Sequence, residues 1–147
     1  MATEDDPIGE IHRAIITVSR SARIQAIRES NLSLVALAIL SYVDNTADPT
    51  ATDLAGEYGL DKSTVSRQLA DLERQALLRR VPDATRARMQ LLKLTAKGRR
   101  CLSAARTSQR KRLGKKLGNW PEADVVAFSR LLSRFASATN RPDNSET

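Results

Sequence analysis

The sequence predicts a mainly α-helical chain carrying one small β-hairpin, and three observations point there. Residues 50–76 hold two short helical patterns joined by a glycine turn. Residues 77–94 hold two apolar runs separated by Pro82-Asp83-Ala84-Thr85 and two arginines, as a hairpin requires. Each end of the chain carries apolar residues at helical spacing.

The central stretch organises the rest. Leu54, Ala55 and Tyr58 form the apolar face of a first short helix. Gly59 ends it, because glycine takes the positive φ that a helix C-terminus commonly needs. Asp61 stands where a side-chain oxygen caps a second helix starting at Lys62. Val65, Leu69, Leu72 and Ala76 recur at i, i+4, i+7 and i+11, one buried stripe. The opposite face holds Lys62, Ser63, Ser66, Arg67 and Arg74, with Thr64 beside them, and this is chemistry for phosphates and base edges. Two helices about a short glycine turn, the second basic near its start, form a helix-turn-helix. Next, Leu77, Leu78 and Val81 alternate with Arg79 and Arg80, and Met89, Leu91, Leu92 and Leu94 make the second apolar run. Arg86 and Arg88 fall at the hairpin tip, suited to phosphate or minor-groove contact. The sum is a winged helix-turn-helix.

On these residues the chain resembles the MarR family of bacterial transcription regulators. The resemblance rests on Asp53-Leu54-Ala55, Ser63-Thr64-Val65-Ser66-Arg67, Leu72-Glu73, Arg80, Asp83, Arg88, and Leu94-Thr95 with Gly98, and runs from about Ile8 to Phe135. Two positions depart from the pattern. Ala76 stands where the family usually has glycine. Arg86 replaces a second aspartate of the wing, which makes this wing more basic and challenges the usual salt bridge at its tip. The resemblance implies a homodimer built from the first and last helices, double-stranded DNA as partner, and a small phenolic or lipophilic effector between the dimerisation helices and the winged domain. His12, Ile15, Leu37, Tyr42 and Trp120 are the candidate lining residues, chosen for apolar or aromatic character near that cleft.

Composition agrees. The 147 residues suffice for one domain with a real core, not for a second ligand domain of ordinary size. Lys plus Arg is 24 against 17 Asp plus Glu, a net charge of +7, and the pI of about 10.2 points to a polyanionic partner. A membrane surface would attract the same charge. No apolar run reaches the length of a span, however, and the acidic Met1–Asp6 start has the wrong sign for a secretory signal. A single cysteine, Cys101, allows no internal disulfide and fits a reducing compartment. The expectation is a cytoplasmic protein with no membrane partner.

In chain order, residues 1–7 read as an acidic frayed leader and residues 8–30 as a first helix with the stripe Ile8, Ile11, Ile15, Val18 and Ala22. Asn31-Leu32-Ser33 breaks and caps before a second helix, apolar on most of its circumference from Leu34 to Val43 and therefore central. The winged region spans 31–94. Thr95 caps a long helix to about Leu117 that is rich in Arg and Lys, with no carboxylate between Asp83 and Glu122. Pro121 opens the last helix, whose stripe is Val125, Phe128, Leu132 and Phe135. Residues 95–140 join 8–30 as dimerisation helices, and 141–147 read as a disordered tail. Left in water, either terminal stripe would forfeit several kcal/mol at roughly 25 cal/mol per Å². The expected dimer interface is Ile8, Ile11, Ile15, Val125, Phe128, Leu132 and Phe135, packed together and against a second copy.

Plainer roles compete. The Ser63–Arg67 face could be an ordinary solvated one, and Arg86 and Arg88 a merely soluble loop tip. The basic run Arg106–Lys116 fits a diffuse field rather than a second site. His12 suits a structural or interfacial place, Trp120 an anchor for the last helix, and Cys101 a partly buried small hydrophobe. One His and one Cys with no orienting partner, no phosphate-cradling loop and no metal-ligand spacing argue against an enzyme, a metal or a cofactor. Two functions remain: a sequence-specific dimeric regulator, expected to repress at a palindromic operator, or a non-specific nucleic-acid or nucleoid architectural protein.

Overall fold

A computed structural model describes residues 6–139, with six helices and one antiparallel hairpin among them. The acidic leader up to Asp5 and the tail 140–147 lie outside the described residues. Helix α1 is Pro7–Ser30 and begins one residue earlier than the sequence suggests. Pro7 sits at its first position, where its missing N–H costs nothing, and the Asp6 carboxylate accepts from Gly9 N at 2.9 Å. Asn31, at φ 55°, turns the chain out of α1. Helix α2 is Leu34–Asn45, capped by Ser33, and it buries Ala36, Leu37, Ile39, Leu40 and Val43.

Helices α3 (Ala51–Tyr58) and α4 (Lys62–Arg74) follow, then strands β1 (Leu78–Pro82) and β2 (Gln90–Leu94). The strands pair with Leu78 opposite Leu94 and Val81 opposite Leu91. Leu92 N donates to Pro49 O at 2.8 Å, tying the hairpin to the segment that enters α3. Helix α5 is Ala96–Leu117, and the Thr95 hydroxyl accepts from Gly98 N as its cap. Helix α6 is Glu122–Thr139. Pro121 precedes it instead of occupying its first turn, and the Pro121 carbonyl accepts from Asp124 and Val125.

The chain divides into two compact units, Met1–Ser108 and Gln109–Thr147, with the division inside α5. The first holds the core, where Leu40, Leu54, Leu69, Leu72, Leu78 and Leu92 from five elements are completely enclosed. Truncating any of these leucines to alanine would cost about 2–5 kcal/mol. The second unit contains the end of α5, the Gly118-Asn119-Trp120 turn and α6. Trp120 leans on Phe128 with ring centroids 5.5 Å apart.

The stripe expected on α4 needs one correction. Val65, Leu69 and Leu72 are buried, but Ala76 is exposed and lies beyond the helix end at φ 57°. It occupies the left-handed position that follows a helix C-cap, which explains why glycine is the ordinary choice there.

Candidate nucleic-acid interface

The helix-turn-helix is built from local caps. The Thr50 hydroxyl accepts from Asp53 N to start α3, and Gly59 at φ 58° ends it. Leu60 N returns to Ala55 O at 3.0 Å, so the turn is closed on itself. Asp61 then starts α4 by accepting from Thr64 N at 2.8 Å, from the Thr64 hydroxyl at 2.8 Å, and from the Ser63 hydroxyl. The Ser63 bond, followed by the two from Thr64, holds the Asp61 carboxyl far below the ordinary carboxylate range.

The polar face of α4 carries the residues that the sequence singled out. Lys62, Ser63, Ser66 and Arg67 are exposed and Thr64 is half-buried. Neither Lys62 nor Arg67 has an ion-pair partner among the described residues, so both cations are available to an incoming anion. Arg74 reaches Asp71 at 2.9 Å, an exposed i,i+3 pair of little energetic consequence.

At the hairpin tip Asp83 accepts from Thr85 N and the Thr85 hydroxyl, both at 2.8 Å, and from Arg86 Nε at 2.6 Å. These three donors, Thr85 N–H first, depress its pKa well below the usual carboxylate range, and the pairing raises that of Arg86. The departure from the family pattern at Arg86 therefore supplies its own tip salt bridge, with Arg86 as the partner of Asp83. Arg88, at φ 64°, is exposed beside it with no ion-pair partner among the described residues.

Sequence reasoning passes over the contacts that fix the wing to α4. Arg80 shares a strand face with Leu78 and reaches Glu73 at 2.7 Å. Together with Ala51, Thr52, Lys62, Val65 and Ser66 it lines a notch of about 180 Å³ where α3, α4 and β1 meet. Lys97 Nζ donates to Gln75 O and the Thr95 hydroxyl to Ala76 O, which pins the end of α4 to the start of α5. The only signal in the sequence is the position of Arg80, seven residues after Glu73.

The remaining candidates are dispersed. Leu37 is buried in the core, and Tyr42 lines an open cleft with Ser41, Asn45, Thr46, Glu57 and Tyr58. His12 and Ile15 are exposed on α1, and Trp120 lies against Phe128. Among the expected interface residues Ile8, Ile11, Ile15, Phe128, Leu132 and Phe135 are exposed, Ile8 at 73% and Phe128 at 39%, and Val125 is half-buried. Cys101 is a free thiol, half-buried against the core. Among the described residues no single helix is long and apolar enough to cross a membrane, and no cluster of three metal-ligating side chains occurs.

A capped recognition helix beside an arginine-tipped hairpin defines a winged helix-turn-helix protein. Residues 30–89 match the sequence profile of the MarR family. The Bacillus subtilis HTH-type transcriptional regulator YxaD is 31% identical over 111 residues, spanning 76% of this chain and 78% of its own length. A MarR family protein from Bacillus stearothermophilus shares the fold at a TM-score of 0.81 and 17% identity, covering 95% of this chain and all of that one. An S. aureus MepR mutant bound to an oligodeoxyribonucleotide superposes at a TM-score of 0.63 and 20% identity, covering 92% of this chain and 99% of that one. The chain belongs to the MarR family of DNA-binding transcription regulators.

Proposed function

We propose that this regulator works as a homodimer that represses transcription by reading the two halves of a palindromic operator, and that a small phenolic or lipophilic effector releases it. The observation that carries the reading is the combination, in one chain, of an exposed recognition face on α4 with apolar faces left in water on α1 and α6. Fully covering one Ile, Leu or Phe side chain is worth about 1.5–3 kcal/mol. Six such residues across the two helices therefore favour association with a second copy. A twofold dimer places two recognition helices about one DNA turn apart.

In this reading Arg67 and Ser66 address base edges in the major groove, aided by Ser63 and Thr64. Lys62 and Arg74 anchor on phosphates, and Arg86 and Arg88 on phosphates or the adjacent minor groove. The MepR complex, a relative in fold bound to an oligodeoxyribonucleotide, supports DNA as the partner. Footprinting on the DNA upstream of its own gene tests the proposal. The expected result is protection of two half-sites roughly 10 bp apart, with a preference over random DNA on the order of 10³ or more.

The charge favours a second reading. With a net charge of +7 and no carboxylate between Asp83 and Glu122, the chain could bind any duplex as an architectural protein. Equal affinity for the protected DNA and a scrambled duplex would establish that reading and remove the first.

A further inference from the structure

A cleft of about 410 Å³ opens between the C-terminal ends of α2 and α3. Tyr42 and Tyr58 both line it, their rings in a T-shaped arrangement with centroids 6.1 Å apart and planes at 70°. The Tyr58 ring is held in place because its hydroxyl donates to Ala38 O at 3.3 Å. Ser41, Asn45 and Thr46 supply hydroxyl and amide groups, and the Glu57 carboxylate completes the lining. Glu57 has no ion-pair partner among the described residues. Burial, then the negative charge of nearby carboxylates, raises both phenol pKa values: Asp53 and Glu57 act on Tyr42, and Glu57 on Tyr58. At the rim Arg106 donates to the Ser41 hydroxyl at 3.0 Å, but its charge is paired with Asp44 at 2.7 Å.

These features select by charge. An anion would face Glu57 and the electron-rich ring faces. A neutral apolar molecule of the same shape would gain nothing from the Glu57 carboxylate and little from the ring quadrupoles. A compact organic cation gains from both components, because ring quadrupoles attract it within about 6 Å of a centroid and a carboxylate stands beside them. We propose that this cleft is a binding site for a small quaternary or tertiary ammonium compound, held by the Tyr42 and Tyr58 rings and the Glu57 carboxylate. The proposal is independent of the DNA-binding reading. Because α3 is the first helix of the helix-turn-helix, an occupant would tie α3 to α2, and its effect on DNA affinity is a separate measurement.

Choline is a suitable probe, with 3,3-dimethyl-1-butanol as its uncharged isostere and acetate as the anionic control. Calorimetry on the full chain should show saturable choline binding, about tenfold or more tighter than the isostere, and no acetate binding. Chemical shifts of labelled tyrosine rings should move for Tyr42 and Tyr58. Glu57→Gln should weaken choline about fivefold to tenfold, whereas Tyr58→Phe, which keeps the ring, should retain most of the affinity. Circular dichroism checks that each variant is folded. Equal binding of choline and its isostere, an unaffected Glu57→Gln protein, tighter binding of acetate, or the absence of saturable choline binding would each overturn the proposal.

Discussion

Replacing Gly98 by alanine should damage the joint between the recognition helix and the wing. A Cβ at this position would lie 1.9 Å from the Leu77 carbonyl oxygen and 2.9 Å from its carbon, both backbone atoms that cannot rotate away. Even a close C–H···O contact needs about 3.3 Å, so α5 or the start of β1 must move by roughly 1.4 Å. The same joint is held by Thr95 N to Leu77 O at 3.1 Å, the Thr95 hydroxyl to Ala76 O at 2.6 Å, and Lys97 to Gln75 O at 2.8 Å. Overpacking costs about 1–3 kcal/mol, and losing one of these bonds adds about 1 kcal/mol. Alanine returns about 1 kcal/mol in helix propensity, leaving a net loss of about 1–3 kcal/mol. Gly114 is the control on the same helix, because an added methyl there would meet nothing within 4 Å. Alanine at that position should gain up to about 1 kcal/mol. Urea unfolding at fixed protein concentration reads both, with a fall of about 1 M in midpoint for Gly98→Ala and a small rise for Gly114→Ala. An unchanged midpoint for Gly98→Ala, or an equal fall for both, would refute the argument.

Arg67→Ala should cost on the order of 1–3 kcal/mol per subunit and relax base preference at one position of each half-site. Removing Arg86 and Arg88 should instead weaken specific and random DNA evenly and flatten the log K against log salt slope by about one unit for each phosphate no longer neutralised. Salt titrations on operator and scrambled duplex separate the two, and an Arg67→Ala protein with unaltered base preference would demote that residue to an anchor. Changing Phe128 and Leu132 together to Asp should give a dissociated or unfolded protein in analytical ultracentrifugation, since each charge would be buried unpaired between copies. A double variant that stays dimeric at full thermal stability would put the interface elsewhere. In acid, Asp61 and Asp83 have folded pKa values below their unfolded value of about 3.9, so their stabilisation is complete above that pH and is lost as pH falls toward the depressed values. Melting temperatures between neutral and strongly acidic pH should therefore fall less steeply for Asp61→Asn than for the wild type, and parallel curves would contradict this.

What is legible in the sequence is local. Ser33, Thr50, Asp61 and Thr95 each bond a backbone N–H three residues on, and Gly59 takes its positive φ without help from distant chain. Signals of that range survive in a one-dimensional pattern, and so does the all-round apolarity that marks α2 as central. Ala76 falls outside its expected stripe because periodicity continues on paper past the point where the backbone leaves the helix. The Glu73–Arg80 pair, the approach of Gly98 to Leu77 and the Tyr42–Tyr58 contact join residues from different elements, and only the packing of those elements creates them. Arg86 illustrates the intermediate case. Its charge is plain in the sequence, but its bond to Asp83 depends on how the tip folds.

The cap on α4 has a consequence for the kind of group its hydroxyls can meet. Ser63 and Thr64 both give their single proton to Asp61 and keep only lone pairs. Phosphate oxygens are likewise acceptors, so while the cap is intact these two side chains have nothing to offer a nucleic-acid backbone. Their complements are amino groups, which in a major groove belong to adenine N6 and cytosine N4. If these hydroxyls face DNA as proposed, the neighbouring carboxylate would set their polarity and suit them to exocyclic amines rather than to phosphates.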